Sequence, residues 1–403
     1  MNIESKKNET ERKTTMIDSV TIILKDFDLI KDWQQEFDGA KMIVITDRFT
    51  HRCFFPKSFA ERRKKDGKYF PQLVLNHKDH ELRIQISLPK FLFGTNLLEI
   101  NETHLNQIHE ELANELKRVG VNTTPKKIAN SPLGRIDFCK NFRIPPHLGT
   151  SKQIIWKMSE LGRKRSSDSR LSSFNQNNNE EGTLLKFWNT SQGYAIYDKT
   201  MEILANGSTN VEKAIQENIL SNDYEHNMIR FELSLQKKQA LEVFLRTKIK
   251  DKKKDFYLRD VLKKELVKNI LLEAFNKTFK PEELFILSLA EMKENKLEMY
   301  LLQQNLKPSE HMLLFYWINK TIKNGLPATL QELRSRTSSS TFNRHKKEVK
   351  KISEKINAPL STTHSIASYL REEHQKFKIL KPSDCPQFMN RCSINHNAVV
   401  LLE

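Results

Sequence analysis

Apolar and polar residues alternate along several short stretches in the first half of the chain, and period-two alternation marks a strand with one face toward a core. The segments MIDSVTIILKDF, KMIVITD, PQLVLNH and ELRIQISL read as strands, and HKDH makes a hairpin loop between the last two. The early fold is therefore expected to be antiparallel. The period then lengthens to that of a helix at Leu105, Ile108, Leu112, Leu116 and Val119, with Asn101 to cap its start and Gly120 to stop it. GRIDFCKNF returns to the strand pattern, and SKQIIWKMSEL to the helical one, ending at Gly162. The following stretch RKRSSDSRLSSFNQNNNEEG has almost nothing to bury and is predicted to be a mobile loop. TLLKFWNTS, GYAIYDK and NMIRFELSLQ are three more strands, with a helical insertion at 211–220 between the last two. From about residue 237 the pattern is almost wholly helical.

Three strands place charge on one side only. In RIDF, Arg135 and Asp137 oppose Ile136 and Phe138. In IRFELSL, Arg230, Glu232 and Ser234 oppose Ile229, Phe231, Leu233 and Leu235, and in GYAIYDK Tyr197 and Lys199 share a face with Ala195. Singly, each pattern also fits a half-solvated sheet whose arginines and acids offset one another. Together they supply carboxylates for a divalent metal, cations for phosphates and a phenol as nucleophile.

Of the 403 residues, Lys and Arg number 67 against 50 Asp and Glu, a formal charge of +17 that favours a polyanionic partner such as nucleic acid over a membrane surface. The opening MNIESKKNETERKTT is polar, and no apolar run reaches about 18 residues, so neither a signal peptide nor a spanning helix is expected. Four cysteines are too few for a disulfide framework, and reduced thiols are expected. Cys385, Cys392 and His396 match no standard zinc spacing and read as ordinary tail residues; His77 and His80 read as solvent residues of a loop.

Residues 309–358 form a compact helical unit with a helix-turn-helix layout: SEHMLLFYWINKTIKNG, then TLQELRSR with Thr329 and Glu332 as a capping box, then TFNRHKKEVKKISEKI capped within Ser338–Ser340. Phe342, Val349 and Ile352 make its apolar stripe, leaving Asn343, Arg344, Lys346, Lys347 and Lys350 expected on the open side, where a major groove could be read. A solvated basic helix on a small bundle would show the same pattern.

MIDSVTIIL, SLPKFLFGTN, RIDF, FWNTS with YDKTMEI, and IRFELSLQKKQ occur in an order and spacing that resembles the gene II/X replication proteins of filamentous bacteriophages and their plasmid relatives, over residues from about 16 to 245. The resemblance implies an α+β fold: an antiparallel-sheet nuclease domain flanked by helices, followed here by a helical region and a helix-turn-helix-like domain. The expected divisions are a disordered tail 1–15, the nuclease domain 16–245, a charged helical linker 246–305 and the C-terminal domain 306–403. It implies rolling-circle initiation by a nickase that cuts one origin strand, single-stranded at the nick, through a tyrosine, forming a 5′-phosphotyrosine and later rejoining the strand. Tyr197 matches the nucleophile, with Lys199 beside it to offset phosphate charge; a packed Tyr197 ring with Lys199 paired to Glu202 or Asp198 is the alternative. The superfamily's histidine–apolar–histidine metal triplet has no counterpart, so Mg2+ or Mn2+ is assigned to Asp137 and Glu232, with Arg135 and Arg230 either as phosphate clamps or as holders of a carboxylate. A cytoplasmic location in a bacterial host cell follows from the resemblance, and a host helicase is a partner it leaves open. The rivals are a non-catalytic origin-binding protein and a tyrosine recombinase; the latter needs an arginine-rich helical site that this chain does not assemble.

Overall fold

The computed structural model describes residues 17–29, 52–54, 67–76, 79–145, 148–159, 169–172, 182–188, 191–221, 228–356, 369–370 and 372. Its strands are β1 (Ile17–Leu24), β2 (Asp28–Leu29), β3 (Arg52–Phe54), β4 (Gln72–Asn76), β5 (Glu81–Ser87), β6 (Val121–Asn122), β7 (Leu133–Arg143), β8 (Ser169–Ser172), β9 (Leu184–Trp188), β10 (Gln192–Asp198) and β11 (Met228–Leu235). Nine of them form one sheet in the order β3-β4-β5-β1-β7-β11-β10-β9-β8, and β2 pairs with β6. Every neighbouring pair is antiparallel. KMIVITD, expected as a strand, lies outside the described residues, as do Cys385, Cys392 and His396.

The alternation settles the two faces. Val20, Ile22, Ile84, Ile86, Ile136, Phe138, Phe231 and Leu233 are buried on one side. Two helices cover that side: α7 (Lys238–Ile249) and α9 (Lys264–Thr278) pack on β7 and β11. From α9, Phe275 meets Phe231 edge-on at 5.6 Å between ring centroids, and the next residue past its end, Phe279, lies 5.0 Å from Phe275. Each such ring contributes roughly 2–3 kcal/mol by burial, with about 1 kcal/mol more from the edge-to-face geometry. Part of the segment expected to be a linker is therefore sheet core, because Val267, Ile270, Leu271, Ala274 and Phe275 make a helical apolar stripe. A second difference is β8, an edge strand within the stretch expected to be only loop; it pairs with β9 from Ser169 to Ser172.

Shorter helices close the ends. α1 (Leu88–Phe93), α2 (Leu105–Arg118), α3 (Pro125–Ala129) and α4 (Ser151–Ser159) precede the Tyr197 strand. α5 (Lys199–Asn206) and α6 (Asn210–Ser221) follow it. Asn101 caps the 3-10 turn that leads into α2, and Gly120 takes a φ of 77° after it, where a side chain would be strained.

Beyond α8 (Leu258–Val261) and α9 come α10 (Pro281–Ala290), α11 (Glu294–Gln303), α12 (Pro308–Asn324), α13 (Leu326–Arg336) and α14 (Ser339–Lys355). α10, α12, α13 and α14 pack together, with Trp317 stacked on Phe342 at 6.4 Å. Ser338 caps α14 through the Thr341 amide at 3.2 Å, as expected. Thr329 is not a cap: α13 starts at Leu326, with a proline in its first turn, and the Thr329 hydroxyl donates back to the Gly325 carbonyl at 2.9 Å.

Candidate active site

The polar side of the sheet is assembled by register. Tyr197 pairs with Arg230, which pairs with Asn141; Ala195 pairs with Glu232, and Glu232 with Cys139; Gly193 pairs with Ser234, and Ser234 with Asp137. Cross-strand partners share a face, so β10, β11 and β7 bring the predicted tyrosine and both predicted acids to one surface. The Tyr197 hydroxyl donates to Glu232 Oε2 at 3.2 Å. Ser234 Oγ donates to the other carboxylate oxygen, Oε1, at 3.1 Å and also lies in hydrogen-bonding reach of Asp137. The two acids thus converge on one serine beside the phenol.

Electrostatics follow from burial. Glu232 is pushed up to about 7, first by burial and then by the charges of Asp137 and Asp18. Asp137 is raised by burial, opposed by the Arg135 guanidinium, which grips it at 2.9 and 3.2 Å. Burial holds the Tyr197 phenol well above its ordinary value. The residue is 8% exposed, and its hydroxyl lies in polar company against Glu232.

Arg230, expected either to clamp a phosphate or to hold a carboxylate, does the second: it is 1% exposed and fully engaged. Its Nε donates to Asn141 Oδ1 at 2.7 Å, one terminal nitrogen to Asp18 Oδ2 at 2.9 Å and the other to the Asn96 carbonyl. The cation therefore organises the site from beneath. Asp18 is held low because Arg230 and Lys199 outweigh the effect of burial, and Ser87 Oγ donates to it at 2.8 Å. Sequence alternation missed Asp18, since the β1–β7 register shifts between Ile17 and Ser19 and turns it toward this face.

Lys199 is also placed differently from expectation. The strand ends at Asp198, whose carboxylate caps α5 by accepting from the Met201 amide at 3.0 Å, so Lys199 opens a helix. The amine is fully buried, ion-paired with Glu202, and brought down to about 8 by burial and by the neighbouring Arg230 charge. It belongs to a charged cluster with Asp18, Arg230 and Lys90, the last bonded to Glu212 at 2.7 Å. Asp198 itself is raised to about 6 by burial.

Hard divalent cations take oxygen ligands, and a buried Asp137 beside a half-buried Glu232, both raised by burial and by neighbouring negative charge, are what such a cation would relieve. Asp137 and Glu232, with Ser234 between them, fit that requirement. Among the described residues no group of three His, Cys, Asp or Glu gathers to hold a metal, so further ligands would be hydroxyl, water or phosphate oxygens. His80 stacks on Phe27 at 4.5 Å and is no part of this site.

On α14, Asn343, Arg344, Lys347 and Lys350 are exposed as expected. Lys346 is not: it is 9% exposed and bonded to Glu283 at 2.7 Å and Glu282 at 3.5 Å. Its spacing from Phe342 and Val349, four back and three on, puts it on the apolar stripe, where the acids of α10 receive it.

Fold and site define a basic α+β protein whose central strands carry the inventory for phosphoryl transfer. Residues 64–251 match the family model for the N-terminal part of the replication-associated gene II protein. That match supports a filamentous-phage gene II type of replication initiator, a family whose membership implies rolling-circle replication and DNA binding. No curated protein and no solved structure matches the chain. The matched segment contains Asp137, Tyr197, Lys199, Arg230 and Glu232, whereas Asp18 comes from outside it. Among the described residues no helix is long and apolar enough to cross a membrane.

Proposed function

We propose that the chain starts rolling-circle replication by nicking one origin strand with Tyr197 and later rejoins it. The observation that supports this most directly is the Tyr197 hydroxyl donating to Glu232 Oε2 at 3.2 Å. The phenol oxygen attacks phosphorus as its proton passes to Glu232. The phosphorus–3′-oxygen bond breaks, the leaving oxygen takes a proton from water, and a 3′-hydroxyl is freed to prime synthesis. The 5′-phosphotyrosine keeps the bond energy, so attack by a 3′-hydroxyl reverses the step and closes the displaced strand. Arg230 and Asp18 hold β11 and β1 in register under the reacting groups, and Arg135 orients Asp137. Mg2+ or Mn2+ held by Asp137 and Glu232 would polarise a phosphate oxygen. Lys199 contributes a buried positive potential, not a contact with the phosphate.

The exposed cations of α14, with Asn343, bind the duplex around the origin, and a host helicase unwinds it. The test is incubation of the full chain with a supercoiled or single-stranded origin fragment and Mn2+. A covalent protein–DNA band is expected with the parent chain and none with Tyr197→Phe. Equal nicking by both removes Tyr197 from its role, and origin binding without any nicking by the parent favours the non-catalytic alternative.

A further inference from the structure

The polar face of the sheet is closed at one end and open at the other. Over the Tyr197–Arg230–Asn141 row lie the Asn96 carbonyl and α5. Away from it, Gln72, Arg83, Gln85, Lys186 and Trp188 are exposed, while Ser19, Thr21, Arg135, Gly193 and Ala195 are partly so. One line of cross-strand partners runs Trp188, Gly193, Ser234, Asp137, Ser19, Ser87. The next contains Arg135, Thr21, Gln85 and Gln72. The floor between the ends is made of Gly193, Ala195, Ser234, Ser19 and Thr21, small side chains over which another backbone can lie close.

Trp188 is 37% exposed at one end of this floor, and its partner across the pair is a glycine, so the floor stays low beside the ring. It is two strands from Ser234, the hydroxyl between the two acids, or about 10 Å at the usual strand spacing. A large aromatic ring held at a solvent face beside a lysine, Lys186, with an arginine, Arg135, three strands across, is an arrangement that can grip a strand with unpaired bases: the ring stacks a base and the cations follow the phosphates. A duplex offers no free base face to such a ring.

We infer that single-stranded DNA crosses the open half of the sheet from Trp188 toward Gln85, about 24 Å over five strand spacings, with Trp188 stacking one of its bases. Lys186 and Arg135 take phosphates on either side, and Thr21 and Gln85 offer hydrogen bonds at the far end. This assignment rests on the proposed nicking reaction for the identity of the strand, but it is a binding statement and is tested without chemistry.

The test uses the full chain carrying Tyr197→Phe and a 5′-fluorescein-labelled oligo-dT, read by fluorescence anisotropy, so that cleavage cannot enter the measurement. Adding Trp188→Ala is expected to weaken binding roughly 5- to 150-fold, the range for losing one stacked base. Trp188→Phe, which keeps a ring, is expected to recover most of it, and Trp156→Ala, at an exposed indole on α4, to change nothing. Binding by Trp188→Ala within about twofold of its parent overturns the assignment, and so does equal weakness of the Ala and Phe variants, which would mark a packing role. Failure of Tyr197 in the nicking assay leaves this result unaffected, so the two ideas fail separately.

Discussion

Replacing Arg230 by methionine keeps the bulk of the side chain but strands its partners. The guanidinium is 1% exposed and holds the Asp18 carboxylate, 8% exposed, at 2.9 Å. Asp18 would keep the Ser87 hydroxyl at 2.8 Å and the Asn96 amide at 3.4 Å, but no cation in direct contact. Breaking a buried pair by removing one member costs about 3–5 kcal/mol, because the remaining charge stays desolvated. With a urea slope of about 2–3 kcal/mol/M, the unfolding midpoint should fall by about 1–2 M, followed by far-ultraviolet circular dichroism. Asp18→Asn in the same background should recover part of the loss, since the amide carries no charge to strand; a coupling of at least about 1.5 kcal/mol is expected from the cycle. A midpoint shift below about 0.3 M for Arg230→Met, or strict additivity in the double mutant, would refute the view that this pair is the keystone under the site.

Four further outcomes can be measured. Asp198, raised to about 6, has a folded pKa above its unfolded one, so its burial costs stability as pH rises from about 4 to about 6 and beyond. Asp198→Asn keeps the cap, so its melting temperature relative to the parent should climb between pH 4 and pH 7, by at most about 3 kcal/mol in stability; a flat difference counts against the buried charge. Lys346→Met should destabilise the C-terminal helices by about 2–4 kcal/mol by taking the closer of two cations from Glu283, which keeps Lys280 at 3.3 Å, with no change in the salt dependence of duplex binding. Lys347→Ala with Lys350→Ala should do the opposite, reducing the slope of log affinity against log salt by about one per lysine, and the reverse pattern would contradict the placement of these side chains. Removing residues 306–403 should weaken duplex origin binding more than it slows cutting of a bare oligonucleotide, checked by gel shift alongside a cleavage time course.

The alternation in RIDF, IRFELSL and GYAIYDK was enough to place Asp137, Glu232 and Tyr197 on one surface, because a strand has only two faces and the apolar residues occupy the other. What the pattern could not convey was local geometry that departs from it. Asp18 sits at a register shift, where counting by twos fails. Lys199 follows a residue whose carboxylate suits a helix cap, so the strand ended one position earlier than its face suggested. Arg230 looked like a phosphate ligand by type, yet its partners Asp18 and Asn96 lie 212 and 134 residues away, a distance no local pattern spans. Lys346 was misplaced for a simpler reason: its neighbours at helical spacing are Phe342 and Val349, and the acid that makes its burial tolerable belongs to another helix.

The order in which the chain emerges during synthesis gives the central strand pairing a safety value. The phenol is made 35 residues before the acid that accepts its proton, and the cation that seats the first strand is made 212 residues after that strand's aspartate. A ribosome-bound fragment ending ahead of Met228 would own a tyrosine with no base beside it. On the proposed chemistry, a half-built initiator is harmless to its own genome, and competence to cut arrives only with the last strand of the sheet.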